Sequence, residues 1–288
     1  MTAKLDPTQL AAIARGLEDE GRYLAARLFR AAARGEETRR TEQHPRSSGD
    51  LALAIDDIAP RLEAAGHDGD LVSAIRRVSA MLRSGEERFD GDVAELHLCN
   101  NCGRAMVGPA PDLCPSCGAG GLSFERVLPI YFLDPVPADR LLPALAEFPE
   151  RVARVCRNVS DEQAATGEWP LRDILSHLVG AQRLLGGRAV RTLEEDEPEL
   201  RSVASTAVTV GAERRPSVAE LVAELRTGRD ELTDRFARLR PEEWQRVGHH
   251  GEWGPITIEQ QLSYLGRHEQ SHLGHLEHAA GGRSATPS

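Results

Sequence analysis

Four of the five cysteines fall in two CxxC pairs, Cys99 with Cys102 and Cys114 with Cys117, inside the segment HLCNNCGRAMVGPAPDLCPSCGA. A glycine follows each pair directly, Gly103 and Gly118. Glycine permits the tight backbone turn that lets two thiolates converge on one ion. Eleven residues separate the pairs, enough for a hairpin return that closes a tetrahedral four-sulfur site. The spacing suits a metal in a reducing compartment better than a pair of disulfides. Zinc and iron both satisfy four thiolates, and softness does not separate them. A closed zinc site would stabilise a segment too poor in apolar residues to fold alone.

The rest of the chain reads as helix. Aromatic residues make up only 4% of the sequence, so Leu, Ala, Val and Ile must supply the core, and Ala- and Leu-rich stretches favour helices over sheets. Asp6-Pro7 is a helix start, and an apolar stripe through Leu10, Ile13, Leu17, Leu24, Leu28 and Ala32 predicts a helix from residue 7 to about 43, with Gly16, Gly21 and Gly35 as points of a break or of close packing. Further helices are predicted at about 50–65 and 69–84, and the three together are expected to close a small bundle. After the proline-rich joint VLPIYFLDPVPADRLLPA, helices are predicted near 139–158, 170–193, 217–239 and 257–280, with a hairpin in WQRVGHHGEWGPIT. The expected organisation is an N-terminal helical region at 1–90, a knuckle and linker at 91–137, a helical bundle at 138–280 and a disordered tail at 281–288. The fold class is mainly α.

Charge and composition remove several functions. The formal net charge is -10, which repels a phosphate backbone, so no nucleic-acid partner is expected. The sole lysine is Lys4, which leaves no candidate for a Schiff base or a phosphate-loop lysine within the folded body. The N-terminus lacks a signal-peptide pattern, and no apolar run approaches the roughly 18 residues of a membrane span. No membrane partner is expected, and a cytoplasmic location follows as the expectation. A homodimer through leftover apolar helix faces is compatible with the sequence.

Histidines carry the second constellation. His268 and His272 are one helical turn apart and lie at the edge of the stripe Ile258, Leu262, Leu265, Leu276. His177 sits the same way beside Leu171, Ile174, Leu178 and Leu185. An i, i+4 pair can place two imidazoles on one ion. Three neutral imidazoles leave the full dipositive charge on the metal with a position open, able to acidify water or take up a thiolate. Zinc and nickel both suit that donor set. His275 shares the face of His268 but lies roughly 10 Å along the axis, and reads as a neighbour of the site or a surface residue. His278 reads as exposed. His249 and His250, in the connection before the last helix, could fold over a bundle mouth as proton carriers. Cys156 reads as a buried inert thiol, Glu269 as a surface carboxylate, and EEDEPE at 194–199 as a solvated acidic loop.

Two resemblances extend this reading. GEWPLRDILSHLVGAQRLL resembles the second helix of the DinB/YfiT-like four-helix bundles, where a tryptophan precedes the helix carrying the first ligand. YLGRHEQSHLGHLEH resembles that family's last helix with its HxxxH. The likeness covers about 138–280 and implies a metal site at His177, His268 and His272. Its members include metal-dependent thiol transferases, a maleylpyruvate isomerase type and hydrolase-like proteins. The CxxCG…CPxCG segment resembles zinc ribbons and the rubredoxin-like knuckle of rubrerythrins. A rubrerythrin-type di-iron centre is not implied, because residues 1–90 hold only His44 and His67 and neither completes a Glu-x-x-His motif. The leading expectation is a metal-dependent transferase or hydrolase acting on a small molecule, thiol-dependent in one version. The alternatives are a non-catalytic metal-responsive or interaction protein that docks through its knuckle, and a rubredoxin-like redox protein.

Overall fold

The computed structural model describes residues 6–40, 47–86, 95–201 and 216–281. His44 and the tail beyond Gly281 lie outside the described residues. The fold is mainly α, and no described helix is long and apolar enough to cross a membrane.

The N-terminal part differs from the expected three-helix bundle. The long helix is two, α1 (Pro7–Asp19) and α2 (Tyr23–Arg40), parted by a turn in which Gly21 takes φ 75°, a conformation that favours glycine. The next two are α3 (Ser48–Ala64) and α4 (Gly69–Ser84). α1 packs on α2 and α3 on α4, and no comparable contact joins the two hairpins among the described residues. Alanines make these seams: Ala14, Ala26, Ala33, Ala52 and Ala59 are buried, whereas Leu24 and Leu28 are exposed. Small side chains let two helices approach closely, and that choice turns the leucine stripe outward.

The cysteine segment forms a three-stranded antiparallel sheet of β1 (Leu96–Cys99), β2 (Ala105–Val107) and β3 (Phe124–Arg126), in the order β2-β1-β3. It leans on α4, where Arg104 pairs with Asp68.

The last half is a four-helix bundle of α5 (Ala138–Cys156), α6 (Leu171–Glu194), α7 (Val218–Phe236) and α8 (Ile258–Ala279). α7 and α8 each start in a capping box, Ser217 with Glu220 and Thr257 with Gln260, which satisfies backbone N–H groups at the helix start. α5 packs against α7 and α8, and α6 against the same two. Consecutive helices α5 and α6 are therefore diagonal, as are α7 and α8.

Two apolar clusters fill the interior. One holds Leu141, Leu145, Leu185, Leu232, Phe236, Ile258 and Leu262; the other holds Val152, Leu171, Leu178, Leu221, Leu225 and Leu276. By residue order, α5 and α8 run from the first cluster to the second, and α6 and α7 run back. The parallel neighbours α6 and α7 need a long crossover, and the connection between them carries β4 (Glu199–Leu200). β4 pairs in parallel with β5 (Val247–His250), which forms the expected hairpin with β6 (Gly254–Thr257).

Between the clusters lies a polar layer to which every helix contributes. Arg229 of α7 donates Nε to Gln182 Oε1 of α6 at 2.9 Å and Nη1 to the Leu145 carbonyl of α5 at 2.8 Å, and pairs with Glu269 of α8. Arg229 and Glu269 are completely buried. The Leu145 carbonyl is available for a reason written in the sequence. Pro149, four residues on and inside α5, has no N–H to give it.

Candidate metal centres

His177 on α6 and His268 and His272 on α8 meet on the seam where these antiparallel neighbours pack. The Nε2 atoms of His177 and His268 are 3.2 Å apart, and those of His268 and His272 are 3.1 Å apart. One potential ligand atom from each of the three lies within 4.8 Å of the others. Nitrogens bound at about 2.05 Å around one tetrahedral ion would stand about 3.3 Å apart, so the donor set fits a single metal. The three predicted histidines are thus brought together, each partly buried.

Burial sets the charge of His268 and His272, the two on α8. It pushes His268 down to about 4, with His177 adding repulsion. Burial also takes His272 down to about 3, and His268, His177 and His275 add to it. Both are neutral at pH 7, the state a metal ligand requires. His272 Nδ1 lies 3.3 Å from His275 Nδ1. With Nε2 turned to the centre, the Nδ1–H of His272 can donate to His275. His275 is exposed and flanks the site, as its helical phase suggested. His268 Nδ1 is buried without a hydrogen-bond partner among the described residues.

Aromatic rings enclose the histidines on two sides. Trp169, just before α6, has its centroid 5.3 Å from His272 and from His275 and 6.3 Å from His177. Opposite it, Tyr264 lies nearly parallel to His268 at 6.1 Å, and Phe132 meets His268 edge-on at 6.3 Å. Tyr264 in turn stacks on Trp253 at 4.9 Å, and Trp253 on His250 at 4.1 Å. Phe132, Tyr264 and Trp253 were missed from sequence. Only Tyr264 carried a signal, lying one turn before His268.

Other expectations divide. His250 is buried in the hairpin and starts the ring column without reaching the other histidines, while His249 turns outward to Glu197 at 3.2 Å. His278 is exposed. Cys156 is buried, and burial raises its thiol to about 11. Glu269 is not a surface carboxylate: it is the buried partner of Arg229, and burial raises its pKa. The acidic run is not a free loop either. Glu194 pairs with Arg235, Glu195 with Arg191, and Glu199 enters β4.

At the knuckle, Cys99 Sγ is 3.8 Å from Cys117 Sγ, and Cys102 Sγ is 3.7 Å from Cys114 Sγ. These separations far exceed the S–S bond of about 2.0 Å. They match the roughly 3.8 Å expected for sulfurs held at about 2.3 Å around a tetrahedral ion. Cys99 and Cys114 are buried, Cys102 and Cys117 exposed. Gly103 and Gly118 take φ 78° and 72°, as the turn requires. Asn101 Nδ2 donates to Cys117 Sγ at 3.4 Å, and this bond is the foremost cause that lowers the Cys117 thiol to about 6.

The uncharacterized protein YuaE of Bacillus subtilis (strain 168) is 26% identical over 138 residues, which covers 42% of this chain and 85% of that protein. A solved structure, YfiT from Bacillus subtilis, is described as a probable metal-dependent hydrolase with an unusual four-helix bundle topology. It is 18% identical and aligns over 60% of this chain and 94% of its own, with a TM-score of 0.46. The model of the DinB superfamily matches residues 139–276. That match spans the bundle segment that carries all three histidines.

Proposed function

We propose that the bundle holds one divalent ion, zinc or nickel, through Nε2 of His177, His268 and His272, and acts as a metal-dependent hydrolase or transferase on a small molecule. The convergence of the three Nε2 atoms carries this reading. When bound there, such an ion supplies Lewis acidity toward a water, a thiol or a substrate carbonyl. The chain's own residues keep the imidazoles of His268 and His272 neutral by burial, orient His272 through His275, and shield the centre with Trp169, Tyr264 and Phe132. A thiol co-substrate is the version of this reading that the family resemblance favours.

We assign the four cysteines to a closed structural zinc site. All four positions are thiolates, so none is left open to a substrate. Rubredoxin-like electron transfer would need iron there instead, and colour that bleaches on reduction.

The test is elemental metal content of the untagged full chain beside His268→Ala and Cys114→Ser. The expected result is one ion lost in each variant, zinc in the second, followed by turnover of small esters, amides or thiol acceptors only when the histidine ion is present. Unchanged metal content in His268→Ala would overturn the assignment.

A further inference from the structure

The four-cysteine sheet is physically joined to the wall of the histidine centre, and one side chain of the sheet makes a direct polar joint. Arg126 ends β3, and its backbone register is fixed by β1: Arg126 pairs with His97, and Phe124 pairs with Cys99. The guanidinium leaves the knuckle and donates Nη1 to the Pro255 carbonyl at 2.6 Å and Nη2 to the Trp253 carbonyl at 2.8 Å. Both acceptors belong to the turn and second strand of the β5–β6 hairpin. Arg126 is partly buried, and withdrawing a guanidinium from water is unfavourable unless its N–H groups are well used. A knuckle that served only itself would leave this cation solvated.

The hairpin it grips holds the ring column. Trp253 lies between His250 and Tyr264, and Tyr264 faces His268 one turn along α8. The chain leaving β3 reinforces the same wall, because Leu128 and Ile130 pack with Trp253 and Tyr264 around Leu133, Leu200 and Ile256. Phe132 of that segment then meets both Tyr264 and His268 edge-on.

We propose that the four-cysteine knuckle positions the histidine centre, with Arg126 as the positioning residue that links them. The inference rests on the three-histidine reading above. It makes the state of the knuckle a determinant of how the bundle holds its ion, and by linkage the coupling is reciprocal.

The test uses the full chain with zinc in the knuckle and Co²⁺ as the probe for the histidines. Ligand-field bands report the imidazole site, and a thiolate charge-transfer band would betray cobalt in the knuckle. Arg126→Ala should bind Co²⁺ about tenfold more weakly, the lower end of the range for groups that orient metal-binding histidines. Its ligand-field bands should shift while the zinc content of the knuckle stays unchanged. Arg126→Lys, which can still donate to one carbonyl, should fall between. Wild-type affinity and spectrum in Arg126→Ala would overturn the proposal. If the wild-type chain binds no more Co²⁺ than His268→Ala, the three-histidine reading fails instead. Hydrogen exchange of amides 247–257 then decides the link: faster exchange in Arg126→Ala upholds it, and unchanged exchange overturns it.

Discussion

Arg229 and Glu269 sit between two apolar clusters with no access to water, where an ion pair survives only if its remaining polar atoms are also used. Arg229 meets that condition through Gln182, the Leu145 carbonyl and Glu269. Glu269 meets it less completely, since Oε2 has no partner among the described residues. Truncating one member should therefore be far worse than removing both. Arg229→Met is expected to lose about 3–5 kcal/mol, and Arg229→Met with Glu269→Leu to recover most of it, measured by urea unfolding. This pair escapes the sequence reading, which places Glu269 on the surface. Glu269 lies four residues after Leu265, on the buried stripe, and Arg229 lies four after Leu225, yet only the packed helices show that each answers the other. The histidines were easier to read, because their geometry is contained in one helical turn and one partner position. Their burial has a pH consequence. Unfolded histidine titrates near 6.5, while His268 and His272 do so at about 4 and about 3. Between those values the unfolded chain binds more protons, so the metal-free fold has this contribution in full above pH 6.5 and loses it as pH falls toward 4. Folded imidazoles that resist protonation also resist losing an ion to protons. After dialysis at pH 5, the histidine centre is expected to keep its metal, whereas ligands of ordinary pKa would release much of theirs.

Within the helices, proline and glycine set what the core can hold. Pro149 opens the Leu145 carbonyl to Arg229, and Gly228 makes room for Gln182. A Cβ on Gly228 would stand 2.5 Å from Gln182 Nε2, an atom that also donates to the Leu225 carbonyl at 3.2 Å. Gly228→Ala is therefore expected to displace Gln182, strand its partners and destabilise by about 1–3 kcal/mol. Gly187, on the outer side of α6, meets nothing within 4 Å. There the same substitution should stabilise by up to about 1 kcal/mol, the helix-propensity difference. Urea midpoints of the two variants, moving in opposite directions, check both. Bundle helices were legible because their leucines repeat over four or more turns and have a large partner face. The first helix breaks at Gly21, one of the three glycines that allow it, and is misread in its facing. Leu24 and Leu28 hold a perfect helical phase, but phase cannot say that alanines on another side of α2 will allow a closer approach to α1. The β5–β6 hairpin was visible in its turn residues, whereas β4 was hidden inside an acidic run.

Across the whole chain, stability should be graded rather than uniform. Among the described residues, the large side chains that are completely buried, Arg229, Phe148 and Leu276 among them, all lie in residues 133–276. Helices α1 to α4 bury mainly alanines, and helices of 13–18 residues with so little apolar contact are marginal in water. Such segments open locally at a small fraction of the global free energy. The knuckle stands between these extremes: its cluster is Cys99, Met106 and Cys114 with Ala119 and Phe124 beside them, so without an ion it has little to hold its three short strands. Hydrogen exchange at neutral pH should order these regions. Peptides from 7–40 and 48–84 are expected to exchange first, and those from the middle of α6 and α7 last. Stripping the knuckle of its metal should accelerate 95–126 and, through Arg126, the hairpin at 247–257, while the centre of α6 keeps its protection. A single exchange rate for α1 to α7 would show the opposite. It would mean that the N-terminal helices unfold only with the bundle, and that contacts weaker than those within each hairpin are enough to couple them.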